Sequence, residues 1–223
     1  MDLSRQTDII NGENLRMQKI LIVGSGSIGS YTCLALSKMG AENITMIDFD
    51  TVEAHNIPNQ FFRIEDIGKT KVEALAEEIM GLTGTMLTCN TTKFDEKHVA
   101  ELNKDDGAII IAAADNMAVR KEIYDSVVKH QNVKRYIDGR MASLSVEIFN
   151  INPAVEEDRK LYEGKLFTDE EGADIACTAR GIVFPVMTCA SIITNMVKQY
   201  VSEQDMSRHI IVDYSKDFFV TER

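Results

Sequence analysis

The feature that most constrains the chain is a short apolar run that ends in glycine: residues 19–23 read KILIV and residues 24–29 read GSGSIG. Such a run has the length and β-rich content of a strand covered on both faces. With Ile28 of that turn, Leu34 and Leu36 of the following SYTCLALSKMG form an apolar stripe that reaches a stop at Gly40, which predicts a helix. In a strand-turn-helix of this kind Gly24 permits the tight turn, Gly26 lets backbone approach a phosphate, and Gly29 lets helix and strand pack closely. The helix N-terminus is then free for an anion. A second strand, NITMID, ends on Asp48, about 20 residues downstream, where an acceptor for ribose hydroxyls is expected. The unit reads as a nucleotide site rather than a purely structural turn, and the glycines alone leave NAD and ATP both open.

Alternation continues beyond it. A helix is expected from about 69 to 80, a strand near 86–91, a helix near 96–103, the strand AIIIAA at 108–113 and a helix from about 116 to 130. That order predicts an α/β, Rossmann-like, mainly parallel sheet with helices on both faces. VKRYIDGR and SLSVEIFNI then read as strands joined by a short turn, and HIIVDYS with DFFVTE as a closing hairpin, so antiparallel strands are added toward the C-terminus. Residues 182–201 predict a long apolar helix with Pro185 in its first turn. The organisation expected is an arm over residues 1–18 and one domain over 19–223, with an acidic, unpatterned, mobile crossing loop at about 153–176.

Composition narrows the partners. A formal charge of −11 and a pI near 4.9 disfavour nucleic acid or an anionic membrane, which need clustered Lys and Arg. No run is long and apolar enough for a signal peptide or a span, so a cytoplasmic, reducing location is expected. The four cysteines, Cys33, Cys89, Cys177 and Cys189, form no C-x-x-C pair. That argues against a disulfide framework or a thiolate zinc site. Cys33, Cys89 and Cys189 lie in apolar periodic segments and read as core filler, and His98, His130 and His209 read as surface residues.

Three further segments select the chemistry: MIDFDTVEAHNIPNQF, DIGKTKVEAL and AADNMAVR. In this order they resemble the ThiF/MoeB/HesA family, the bacterial relatives of ubiquitin-activating enzymes, and dehydrogenases do not carry the series. The resemblance implies that Asp48 holds the ribose hydroxyls, that Asn56 and Gln60 belong to the polar nucleotide loop, and that Lys71 contacts the phosphates. It assigns magnesium to Asp115, with Asn116 beside it and Arg120 one helical turn on, and gives Arg5 and Gln6 to the partner subunit's ATP. Asp50 either helps position the magnesium or the polar loop, or caps a turn. His55, where relatives often have serine, reads as a solvent-facing loop residue. One departure stands out: Asn59 occupies the place of a phosphate-contacting arginine, and Arg63 is the nearby candidate to replace it.

The implied activity is an ATP- and Mg2+-dependent adenylyltransferase, acting as a homodimer. It would activate the C-terminal carboxylate of a ubiquitin-like or sulfur-carrier protein, or of a peptide, as an acyl-adenylate. Cations and magnesium would offset the charge that develops on the leaving pyrophosphate. Cys177 in CTARG either attacks the adenylate or is a small residue opening a helix. The alternatives are an NAD-dependent oxidoreductase, supported by GSGSIG and Asp48 alone, and a non-catalytic nucleotide-binding relative.

Overall fold

The computed structural model describes residues 1–102, 107–130, 132–167 and 182–222. Their strands form one eight-stranded sheet: β1 (Ile20–Val23), β2 (Ile44–Ile47), β3 (Thr88–Asn90), β4 (Ala108–Ala112), β5 (Val133–Ala142), β6 (Ser145–Ile151), β7 (His209–Asp213) and β8 (Phe218–Glu222). The order across the sheet is β3-β2-β1-β4-β5-β6-β7-β8. Pairing is parallel from β3 to β5 and antiparallel from β5 to β8. The parallel half with its antiparallel extension is the fold expected from the alternation.

The two-residue period of a strand explains how one apolar run feeds two cores. Ile20 and Ile22 of β1 join one cluster, with Ile44, Met46, Ile109 and Ile111 of the neighbouring strands. Leu21 and Val23 join the other, with Ile47, Ile110 and Ala112. The first cluster is closed by α1 (Gly12–Met17), α2 (Ser27–Lys38), α3 (Lys71–Thr83) and the long α7 (Val183–Val201). The second is closed by α4 (Lys97–Ala100), α5 (Met117–Lys129) and α6 (Glu156–Glu163). Each buried Leu, Ile, Val or Phe contributes about 1.5–3 kcal/mol of transfer free energy, so both faces are needed to hold the sheet.

Two local outcomes differ from the sequence reading. The stretch expected as an unpatterned crossing loop contains α6, whose first turn holds Glu156, Glu157 and Asp158. Acidic residues there favour the helix macrodipole, and Tyr162, fully buried against the second core, anchors the helix. Residues 168–176 of that stretch, and Cys177, lie outside the described residues. Cys89 is exposed rather than core filler, because β3 is an edge strand.

The topology also creates the site. From β1 the chain moves outward to β2 and β3, then returns to lay β4 on the other side of β1. A parallel sheet has its switch point where the strand order reverses, and loops leaving the carboxyl ends of the two strands diverge there to leave a crevice. The turn after β1 is the glycine segment, and the loop after β4 carries Asp115.

Candidate active site

Gly24 adopts φ +99°, and a Cβ on it would lie 2.5 Å from the Ala113 carbonyl oxygen. A Cβ on Gly29 would lie 1.9 Å from the Gly24 oxygen. Both glycines are therefore required by close backbone approach, and the first of these contacts presses the β4 loop onto the glycine turn. Gly26 differs: a Cβ there would meet nothing closer than the Gln60 amide nitrogen at 3.9 Å. The open space sits at the N-cap of α2, where no side chain caps the helix, which leaves its first N–H groups to an anion.

Asp48 is buried at the end of β2, accepting from the Ser25 N–H at 2.6 Å and the Asp50 N–H at 2.8 Å. Burial pushes its carboxyl above the ordinary aspartate value, while the two N–H groups and the Lys71 charge work against that shift. Each oxygen retains lone pairs for a ribose hydroxyl. Asp50 links this carboxylate to the next helix. Its carbonyl accepts from the Lys71 N–H at 2.9 Å, and its carboxylate pairs with Lys71 Nζ at 2.7 Å. The Lys71 side chain is 9% exposed and that of Asp50 46%, so water or another anion reaches the pair from the aspartate side. Asp50 thus joins Asp48 to Lys71 rather than merely capping a turn.

The polar loop is built inward. Asn56 is buried and its Oδ1 accepts from the Glu53 N–H at 2.8 Å, closing a reciprocal cap over residues 53–56. The Phe61 N–H donates to Ser30 Oγ on α2 at 3.0 Å, which draws Gln60 over the glycine turn. Gln60 Oε1 and Ser25 Oγ are buried with no hydrogen-bond partner. Orphaned buried acceptors of this kind call for an occupant. Together with the open space at Gly26, they fit a nucleotide.

Asp115 is exposed on the β4 loop, and Asn116 Nδ2 donates to its Oδ1 at 3.0 Å. Asn116 also caps α5 by accepting from the Val119 N–H at 2.9 Å. Among the described residues no group of three or more His, Cys, Asp or Glu is placed to hold a metal ion. A lone carboxylate suits a hard cation that arrives on phosphate oxygens and keeps its waters.

Other sequence candidates fall elsewhere. Arg5 and Gln6 sit in a short turn at the C-terminal end of α2, where Gln6 Nε2 donates to the Met39 oxygen at 2.8 Å. The 12 residues of α2 put that end roughly 18 Å from the glycine turn, so Arg5 does not join this chain's own crevice. Arg63 pairs with Glu78 on α3 at 2.6 Å. His55 is solvent-facing, as expected, near Glu53. His209 is a correction: it is buried, stacked on Phe149 with ring centroids 4.4 Å apart, and 2.8 Å from Glu147.

The sequence reading missed one constellation. Asp138 on β5 is fully buried and receives Arg120 Nη1, Arg140 Nε at 2.8 Å and the Tyr162 hydroxyl at 2.8 Å. The Arg140 guanidinium also lies over the rings of Phe149 and Tyr162. The available signal was D-G-R inside an apolar strand, since opposite charges two residues apart share one face of a strand.

The chain is similar to several known proteins. The chain is 31% identical over 134 residues to a NEDD8-activating enzyme E1 catalytic subunit of Arabidopsis thaliana, covering 54% of this chain and 29% of the relative. It is 28% identical over 188 residues to a molybdopterin-synthase adenylyltransferase of Haemophilus influenzae, covering 82% and 74%. The chain thus spans under a third of the length of the E1 subunits it matches. The crystal structure of PaaA superposes with TM-score 0.74 at 22% identity, over 95% of this chain and 74% of that one. E. coli MccB with AMPCPP and MccA superposes with TM-score 0.71 at 16% identity, over 95% and 65%. These two structures bear on the fold alone. The ThiF family model matches residues 4–213, which is nearly the whole chain with its glycine turn, polar loop, Lys71 and Asp115, and the chain belongs to the ThiF family.

Proposed function

We propose that this protein is a cytoplasmic adenylyltransferase that uses MgATP to activate a C-terminal carboxylate, that of a small ubiquitin-like or sulfur-carrier protein or of a peptide. The observation that carries the reading is the chain of contacts Ser25–Asp48–Asp50–Lys71 beside an open Gly26. On this reading Asp48 is the ribose acceptor and Lys71 the phosphate-seeking cation, joined to each other through Asp50. A dinucleotide oxidoreductase would use Asp48 and the glycines but leave Lys71, Gln60 and Asp115 without a role. The relatives named as an adenylyltransferase and as activating enzymes support the same choice.

The chemistry follows from charge. The incoming carboxylate oxygen bonds to the α-phosphorus, and the bond from that phosphorus to the bridging oxygen of the pyrophosphate breaks. Two anions must approach, and negative charge grows on the leaving group. Lys71 would exchange Asp50 for phosphate oxygens, an exchange that the half-exposed Asp50 makes accessible. Asp115 would hold magnesium, which supplies the remaining neutralisation when bound. Arg5, remote from this chain's own crevice, would serve a second copy in a homodimer. Cys177 remains a candidate acceptor for the acyl group.

One observation favours a second reading. Asn59 stands where relatives place a cation, and Arg63 is tied to Glu78. A nucleotide-binding relative without turnover fits that loss. Two measurements separate the three readings. A thermal shift with ATP and Mg2+ but none with NAD is expected, because only a ligand of the native state stabilises it. ATP–pyrophosphate exchange with candidate carriers then distinguishes an enzyme from a binding module.

A further inference from the structure

The Arg120–Asp138 pair does more than hold two elements together. Arg120 leaves the first turns of α5 and turns back: Nη1 goes to Asp138, and Nη2 donates to the carbonyl oxygen of Ala114. Ala114 immediately precedes Asp115. The preceding residue, Ala113, is the one whose carbonyl presses on the glycine turn. The backbone that leads to Asp115 is therefore held at two successive residues, at Ala113 by close approach to Gly24 and at Ala114 by the Arg120 fork.

The grip is stiff because its far end is stiff. Asp138 is 0% exposed and lies on β5 directly beside Ala112, the last residue of β4. Its second oxygen takes Arg140 Nε and the Tyr162 hydroxyl, both at 2.8 Å. A planar guanidinium with one nitrogen on a buried carboxylate and another on a carbonyl fixes both distance and angle. A lysine offers one point charge and no such fork.

We propose that Arg120 and Asp138 are positioning residues for Asp115: they set the β4 loop so that its carboxylate meets a nucleotide-borne divalent cation. The proposal rests on the reading of Asp115 as the magnesium ligand. Groups that orient a metal ligand without touching the metal typically account for about 10- to 100-fold in metal affinity, and Arg120 holds the backbone next to Asp115 rather than its carboxylate.

The test is a magnesium titration of ATP binding, read as heat of binding with no carrier present, on the native chain, Arg120→Lys and Tyr162→Phe. For Arg120→Lys, the Mg2+ midpoint is expected to rise about tenfold, with metal-free ATP bound within about twofold of native. Tyr162→Phe keeps every charge and removes one of the donors to Asp138, and a rise of about two- to threefold is expected, below the range of about 10- to 100-fold because the Arg120 fork itself is kept. If Arg120→Lys fails to fold, the Tyr162→Phe midpoint decides alone. Equal midpoints in native and variant proteins overturn the proposal, as does an equal weakening of metal-free and metal-bound ATP, which marks a merely structural effect. A native chain whose ATP binding ignores magnesium overturns the assignment of Asp115 as well, a result distinct from an unchanged variant in a responsive protein.

Discussion

The two sides of the crevice handle charge in opposite ways. On the β2 side, Lys71 is buried along its stem but paired with an Asp50 whose side chain is 46% exposed. On the β4 side, Arg120 and Arg140 are locked to an Asp138 that water cannot reach. On the proposed reading the first pair would trade its anion for a phosphate, and the second cannot trade anything without leaving a charge uncompensated in the core. The cation proposed to meet a ligand has a half-exposed partner, and the cations that brace the core have a fully buried one.

The largest effect expected from this contrast is on stability. Asp138→Asn should cost about 3–5 kcal/mol, the usual result of removing one partner of a buried ion pair, seen as a lower urea midpoint. Asp50→Asn should cost about 1 kcal/mol or less, because Asp50 is half exposed and the asparagine oxygen or water can take the place of its carboxylate at Lys71. Equal losses would erase the distinction between the two sides.

The glycine turn allows the same comparison on a smaller scale. Gly29→Ala drives a methyl group into the Gly24 oxygen and should destabilise by roughly 1–3 kcal/mol. Gly26→Ala meets open space in the free chain, so its unfolding midpoint should be unchanged while ATP affinity falls by about tenfold, equivalent to 1.4 kcal/mol. Loss of stability without loss of affinity at Gly26 would place the phosphates elsewhere.

A pH dependence sharpens the β2 side further. Burial raises the Asp48 carboxyl above its ordinary 3.8. Between the ordinary and raised values the folded chain holds a proton that the unfolded chain has released, so this group's contribution to stability falls as pH rises through the window. Nucleotide affinity should move the other way, because the carboxylate form accepts ribose hydroxyls. Titrating ATP affinity from about pH 4 to 7 should show that rise at a pH above an ordinary aspartate's, and Asp48→Asn should remove it. The smallest effect expected is at Arg63: Arg63→Ala should leave pyrophosphate exchange within about twofold and stability within about 1 kcal/mol, since an exposed partner contributes little.

What was legible in the sequence follows from the range of the interactions. The KILIV run and the glycines that follow it announce a strand-turn-helix because their meaning is local: period, turn conformation and helix start lie within a few residues. The same holds for Asn116, which caps the helix beginning next to it. Gln60, Lys71 and Asp115 were singled out through resemblance, and Asp48 also by its spacing from the glycines; the topology brings their loops toward one switch point. Asp138 and Arg140 were not singled out, because their meaning depends on Arg120 and Tyr162, which lie 18 and 24 residues from Asp138. Periodicity carries no information about such partners. Tyr162 illustrates the same limit: an acidic segment looked like solvated loop, and one buried tyrosine makes it a packed helix. The burial of His209 depends likewise on β6, to which it pairs across the sheet.

The claim on which the rest depends is that Lys71 leaves Asp50 to meet the polyphosphate of a nucleotide seated at Gly26. Calorimetric binding of MgATP and of adenosine to the native chain and to Lys71→Ala tests it directly. The expected result is an ATP affinity lowered by about 10- to 100-fold, or 1.4–2.8 kcal/mol, with adenosine bound equally by both proteins. Equal ATP affinity in the two proteins would contradict it.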